Sequence, residues 1–235
     1  MSGPSRLSPP RSWVRGALVL AGVASGLLSL APAAGVAQEL SGTVGAFDAR
    51  RLVYYHRQSY EQTGRLVGIA GTVRLWRLRL AVGTERGTLS PSSAVPNTEA
   101  RLRSETASLL VDLSQGLSLG VTREAWRFTA DAGVTTWVLQ GAVVRFEPDL
   151  GLVGLRGIAN VSVYTTGGVH DGPSLSRAFR TVMGVSVRPG SIPVSFRLSH
   201  RFERIDLRAA TADPRSVRYE EFRGVVLEAT VPARR

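Results

Sequence analysis

From about Gln38 onward, aliphatic residues return at every second position in one short segment after another. Over 78–84, Leu78, Leu80 and Val82 fall on one face and Arg79, Ala81 and Gly83 on the other. Over 153–163, Val153, Leu155, Ala159, Val161 and Val163 oppose Arg156, Ile158, Asn160 and Ser162. Over 192–202, Ile192, Val194, Phe196, Leu198 and Phe202 oppose Ser195, Arg197, Ser199 and Arg201. A period of two means strands, because successive side chains leave the backbone on opposite sides. No apolar stretch after Gly35 is long enough to cross a bilayer as a helix. The chain is therefore read as all-β, with one aliphatic face and one polar or small face to each strand.

Breaks at Gly, Pro, Asn and Asp divide the pattern into ten strands, near 38–50, 64–74, 77–88, 100–113, 117–128, 133–146, 151–164, 175–187, 191–204 and 217–231. A count between eight and twelve fits the same pattern. Tight turns are expected at 75–76, 114–116, 147–150 and 188–190. Longer links are expected at 51–63, 89–99, 165–174 and 205–216, with a short one at 129–132.

Before the strands stands a different kind of segment. Arg6, Arg11 and Arg15 precede the apolar run 16–31, and small residues around Pro32 lead to Gly35, Val36 and Ala37. That is the order of a basic region, an apolar region and a signal-peptidase site. We expect a cleaved signal peptide over 1–37 and one domain over 38–235.

Together, the leader, the alternating strands and the turn-and-loop asymmetry resemble the small outer-membrane β-barrel proteins of Gram-negative bacteria. The resemblance is architectural, covers the chain from Gln38 to Val231 and rests on no catalytic motif. It implies an up-and-down antiparallel transmembrane barrel, an outer-membrane location, and contact with outer-membrane lipid and the barrel assembly machinery. Members commonly end in an aromatic residue, whereas this chain ends in Val231, Pro232, Ala233, Arg234 and Arg235.

Charge must find a place in such a sheet. All 29 basic residues are Arg, against 18 acids, for a net charge of +11. Clustered Arg would suggest nucleic acid, but no run exceeds two and most Arg stand singly between apolar residues, so no nucleic-acid partner is expected. An Arg on a lipid face at mid-bilayer costs roughly 2–4 kcal/mol. The Arg are therefore expected in a lumen or at an end, with Glu85, Glu105, Glu124, Glu220 and Glu228 as partners. The expected lumen lining is Arg79, Glu85, Glu124, Arg156, Asn160, Arg180, Arg197, Arg201, Glu220 and Glu228. Tyr54, Tyr55, Tyr60, Trp76, Trp126, Phe146, Tyr164, Phe202 and Tyr219 lie near strand ends, where interfacial girdles would put them.

Catalytic and metal chemistry leaves little trace. Without Cys there is no disulfide, thiolate metal site or thiol nucleophile. Only His56, His170 and His200 offer imidazole. Ser199 and His200 are neighbours on one strand and so face apart. The Gly-rich stretch 165–174 lacks the Lys and helix of a phosphate loop, and Asp206 and Asp213 lack the spacing of a calcium site. No catalytic residue, metal or cofactor is expected. The chain is read as a structural or passive barrel, either a narrow pore or plugged, and anion-favouring if open. Its rivals are an outer-membrane enzyme acting on lipid or a surface polymer, with His200 at its site joined by Ser176 or Glu220, and a soluble periplasmic ligand-binding barrel.

Overall fold

The structure is a computed structural model describing residues 38–55, 58–92, 99–130, 133–170, 174–190, 192–208 and 218–232. The leader expected over 1–37, His56 and Asp213 lie outside the described residues.

Ten strands form: β1 (Gln38–Tyr55), β2 (Gln58–Leu75), β3 (Leu78–Pro91), β4 (Ala100–Ser114), β5 (Leu117–Ala130), β6 (Gly133–Phe146), β7 (Leu155–Val169), β8 (Leu175–Val187), β9 (Ser195–Leu207) and β10 (Arg218–Pro232). Each pairs antiparallel with its sequence neighbours, and β10 pairs with β1 to close the barrel. Closure leaves no unpaired edge. Following directly opposed residues from Ala49 through Gly224, Arg201, Val182, Asn160, Arg145, Ser118 and Asp112 leads to the β2–β3 turn, below the start of β1. One circuit therefore displaces the chain by about a dozen residues, and the strands tilt by roughly 40°.

At one end of the barrel the strands are joined by turns. Trp76 and Arg77 form the β2–β3 turn, where Trp76 has a φ of 54°, the left-handed value that two-residue hairpins require. Gly116, at a φ of 83°, completes the β4–β5 turn. The β6–β7 connection is longer than expected. Gly151 and Gly154 are both left-handed, so β7 begins at Leu155 rather than at 151.

At the other end the strands outrun the sequence pattern. The link expected at 51–63 is mostly strand, because β1 continues to Tyr55 and β2 starts at Gln58. Likewise β3 runs to Pro91, β7 to Val169 and β9 to Leu207. Cross-strand ion pairs such as Arg51–Glu220 hold these extensions. Alternation disappears there because neither face of the extension is a continuous aliphatic stripe, while backbone pairing carries on.

The outer wall carries the aliphatic stripe on every strand. Leu40, Val44, Val67, Ile69, Val82, Leu109, Val121, Val144, Val163, Met183, Leu198, Val225 and Leu227 are all exposed. On β2 the stripe spans Val67 to Leu75, about 20 Å of height after tilt. That approaches the band of about 25 Å on outer-membrane barrels. Toward the loop end the outer wall turns polar.

Candidate functional site: the sealed lumen

Register places all ten sequence-predicted lining residues on the inner wall. Arg79 and Glu85 are on β3, Glu124 on β5, Arg156 and Asn160 on β7, Arg180 on β8, Arg197 and Arg201 on β9, and Glu220 and Glu228 on β10. They do not form one network but three levels, stacked along the axis.

Nearest the loops, the lumen is filled with apolar side chains. Phe47, Leu66, Leu89, Trp126, Trp137, Leu139, Ile205 and Phe222 are each no more than 1% exposed. Trp126 packs on Phe222 with ring centres 4.6 Å apart, and Phe128 sits 6.0 Å from each and 6.1 Å from Trp137. A water-filled channel past these rings would leave them wet, so this is a plug. Trp126 and Tyr164, expected in an interfacial girdle, are both buried inside the barrel. They share inward parity with Glu124 and Ser162, and the lumen is wide enough only for interlocking side chains. On the outer wall, Tyr54 stacks on Tyr219 at 4.9 Å and Phe179 meets Phe202 at 5.7 Å near the loop end, while Trp76 and Phe146 are exposed near the turn end. Tyr60 has inward parity opposite Val53. The side chain of Tyr55 lies outside the described residues.

Polar pairs cap the plug on both sides. Above it, Arg51 Nε and Nη2 donate to Glu220 at 3.0 and 2.6 Å, Nη1 donates to Gln62 at 2.9 Å, and the guanidinium stands 4.1 Å from the Phe128 ring centre. Below it, Arg180 donates to Glu124 and, at 3.1 Å, to Glu203. Arg201 donates to both Glu85 oxygens at 2.9 and 3.1 Å and to Glu203 at 3.2 Å. Trp126 Nε1 donates to Glu124 at 3.2 Å. Glu124, Glu203 and Glu220 have no solvent exposure. Buried charges persist only when paired and hydrogen-bonded; each of these is paired, although both Arg converge on one Glu203 oxygen and the other oxygen has no hydrogen-bond partner among the described residues.

Toward the turns the lumen opens. A mid-barrel cavity of about 160 Å³ touches Thr106, Ser108, Glu85, Arg201 and Glu228. A larger vestibule of about 510 Å³ at the turn end is lined by Arg74, Arg79, Asp112, Ser118, Glu147 and Arg156. Asp112 accepts from Ser118 at 2.6 Å and pairs with Arg74 and Arg79 at 2.9 and 3.3 Å. Glu147, in the β6–β7 turn, pairs with Arg145, with Arg197 at 3.2 Å and with Arg79 at 3.6 Å. Burial alone would raise the Glu147 carboxyl, but Arg145, then Arg197 and Arg79, outweigh it and hold it below the ordinary carboxylate range. Arg197 also reaches Glu228 at 3.2 Å.

Sequence reasoning allowed a plugged barrel but missed Arg51, Arg74, Asp112, Arg145, Glu147, Glu203 and the side chains that form the plug. Their signal was parity: Glu203 is two residues from Arg201, Trp126 two from Glu124 and Phe222 two from Glu220. Glu105, expected to face inward, lies on the outer wall opposite Thr84 and Ala125, bound to Arg103.

The histidines are dispersed. His200 is exposed on the outer wall between Met183 and Val225, while Ser199 beside it is buried inside. Glu220 faces inward, so it does not meet His200. Ser176 sits near the loop end of β8, far along the strand from Met183. His170 follows β7, its backbone N–H donating to Thr136 at 2.8 Å. Asp206 is held by Arg177 and Arg204. Among the described residues no group of three or more His, Asp or Glu is arranged to hold a metal.

No family model matches the chain, and no curated protein matches it. Solved structures do. Neisserial surface protein A is 19% identical, with 82% of this chain aligned to 96% of that one at a TM-score of 0.37. The translocator domain of the autotransporter NalP from Neisseria meningitidis is 11% identical, covering 94% of this chain and 96% of its own at a TM-score of 0.44. LpxR from Salmonella typhimurium is 12% identical, covering 82% and 99% at a TM-score of 0.34.

Proposed function

We propose that this chain is an outer-membrane-type β-barrel that spans the bilayer without conducting through it, serving a structural role rather than a pore's. The observation that carries this reading is a reversal of faces. The middle of the outer wall is aliphatic and exposed all round, whereas charged and hydroxyl groups are drawn inward and paired. Water does not tolerate so extended an apolar surface on a monomer; lipid does. The plug supports the second half of the reading, since Trp126, Phe128, Trp137 and Phe222 fill the cross-section below the loops.

Fractionation of cells expressing the full chain tests it. The protein is expected in the outer-membrane fraction and to migrate faster unheated than boiled on a denaturing gel. Recovery in the soluble fraction, with no shift on heating, contradicts the reading and favours the soluble ligand-binding barrel.

A further inference from the structure

Among the described residues, ten strand Arg point outward from the wall, and on every strand that carries them they stand on the loop side of the aliphatic stripe. Arg50 follows Leu40 and Val44 on β1, and Arg65 precedes Val67 and Ile69 on β2. Arg86 follows Leu78 to Val82 on β3, and Arg101 and Arg103 precede Leu109 and Val111 on β4. Arg123 and Arg127 follow Leu119 and Val121 on β5. Arg177, Arg204 and Arg223 hold the matching places on β8, β9 and β10. This belt sits where lipid chains would give way to headgroups.

Its two sides differ. From β8 round to β2, acids pair with four of its five Arg, all but Arg223: Arg177 and Arg204 hold Asp206, Arg204 also holds Glu221, Arg65 holds Asp48 and Arg50 holds Glu61. From β3 to β5, Arg86, Arg101, Arg103, Arg123 and Arg127 are all exposed, with Glu105 as the one acid bound among them. Arg86, Arg101, Arg123 and Arg127 make no ion pair among the described residues. Moreover, Arg86 is directly opposite Arg103, and Arg103 directly opposite Arg127. Like charges directly opposed on a sheet destabilise it, so three in a row call for an anion from outside. Directly opposed residues stand about 5 Å apart, so the row is about 10 Å long and suits closely spaced phosphates. Arg is also the side chain whose planar fork matches phosphate oxygens in pairs.

We infer that the β3–β5 outer wall is a binding site for phosphorylated lipid headgroups in the leaflet at the loop end. The Arg86–Arg103–Arg127 row grips the phosphates, and Arg101 and Arg123 flank it. This rests on the membrane-spanning reading, because an aliphatic stripe below the row is what brings a headgroup, rather than a free anion, to it.

The test uses the full chain folded into phosphatidylcholine vesicles, with and without a bisphosphorylated glucosamine-disaccharide lipid. The heat-modifiable gel shift reports folding and the temperature at which it is lost reports lipid binding. Wild type is expected to melt at higher temperature with the phosphorylated lipid and not with inorganic phosphate. The variant R86Q/R103Q/R127Q should fold in phosphatidylcholine, bind the phosphorylated lipid about a hundredfold more weakly and lose its effect on melting. R65Q/R177Q, on the neutralised side, should keep the effect. Wild type that folds but melts identically with and without the lipid overturns the site alone. Equal loss in the two variants, or an equal effect of inorganic phosphate, does the same. Wild type that never folds into phosphatidylcholine overturns the membrane reading as well.

Discussion

Arg201 on β9 and Glu85 on β3 join across the lumen, with the Arg201 Nη1 atom 2.9 and 3.1 Å from the two carboxylate oxygens. The same guanidinium lies 4.9 Å from the Phe47 ring centre and 5.4 Å from that of Trp126. Ion pair and plug are thus one unit, and the charge is fixed beneath the rings. Replacing Arg201 by Met leaves Glu85 and Glu203 short of a buried partner. Removing one side of such a pair costs roughly 3–5 kcal/mol. We expect a fall of that size in urea unfolding followed in vesicles, and only partial recovery with Arg201→Lys, which lacks the fork that reaches both acids.

The outer wall predicts a depth-dependent penalty. Val121 is exposed within the aliphatic stripe of β5. Val121→Arg should destabilise the barrel by roughly 2–4 kcal/mol if lipid covers that position, measured as the same urea transition. On a water-facing sheet the exchange would fall within about 0.5 kcal/mol. A cost of that smaller size contradicts burial of this face in a membrane.

At the turn end the prediction concerns pH. Glu147 is held below its ordinary carboxylate value of 4.5 by three Arg. A group with a depressed folded-state pKa contributes stability that is fully present above its unfolded value and is lost as pH falls through the folded one. The stability difference between wild type and Glu147→Gln should therefore be constant at neutral pH and shrink as pH drops below about 4.5. A difference that grows on acidification contradicts the assigned pairing with Arg145, Arg197 and Arg79.

Much of this was legible in the residues because the lipid band imposes a strict period. Leu78, Leu80 and Val82 against Arg79, Ala81 and Gly83 mark both the strand and its sidedness, and the ten strand positions follow. Two parts were hidden for physical reasons. Above the band neither wall carries a regular aliphatic stripe, so 51–63 reads as loop although β1 and β2 pair through most of it. Inside, an aromatic has the same parity as a charge, so Trp126 beside Glu124 reads as girdle rather than plug. The register slip at Gln140/Gly141 was equally silent in the pattern. A Cβ on Gly141 would lie 1.9 Å from the Val163 carbonyl oxygen, so only glycine fits that approach.

The central claim, a barrel that spans but is sealed by its own aromatics, is tested most directly by planar-bilayer recording of wild type beside Trp126→Ala/Phe222→Ala. Emptying two interlocked rings should open a path from the vestibule through the Arg201 level to the loops. Wild type is predicted to insert with no steady conductance and the double variant to conduct. The current should favour anions, because Arg74, Arg79, Arg145, Arg156 and Arg197 outnumber Asp112, Glu147 and Glu228 around the turn-end mouth. Steady conductance in wild type, equal to that of the variant, would contradict the account.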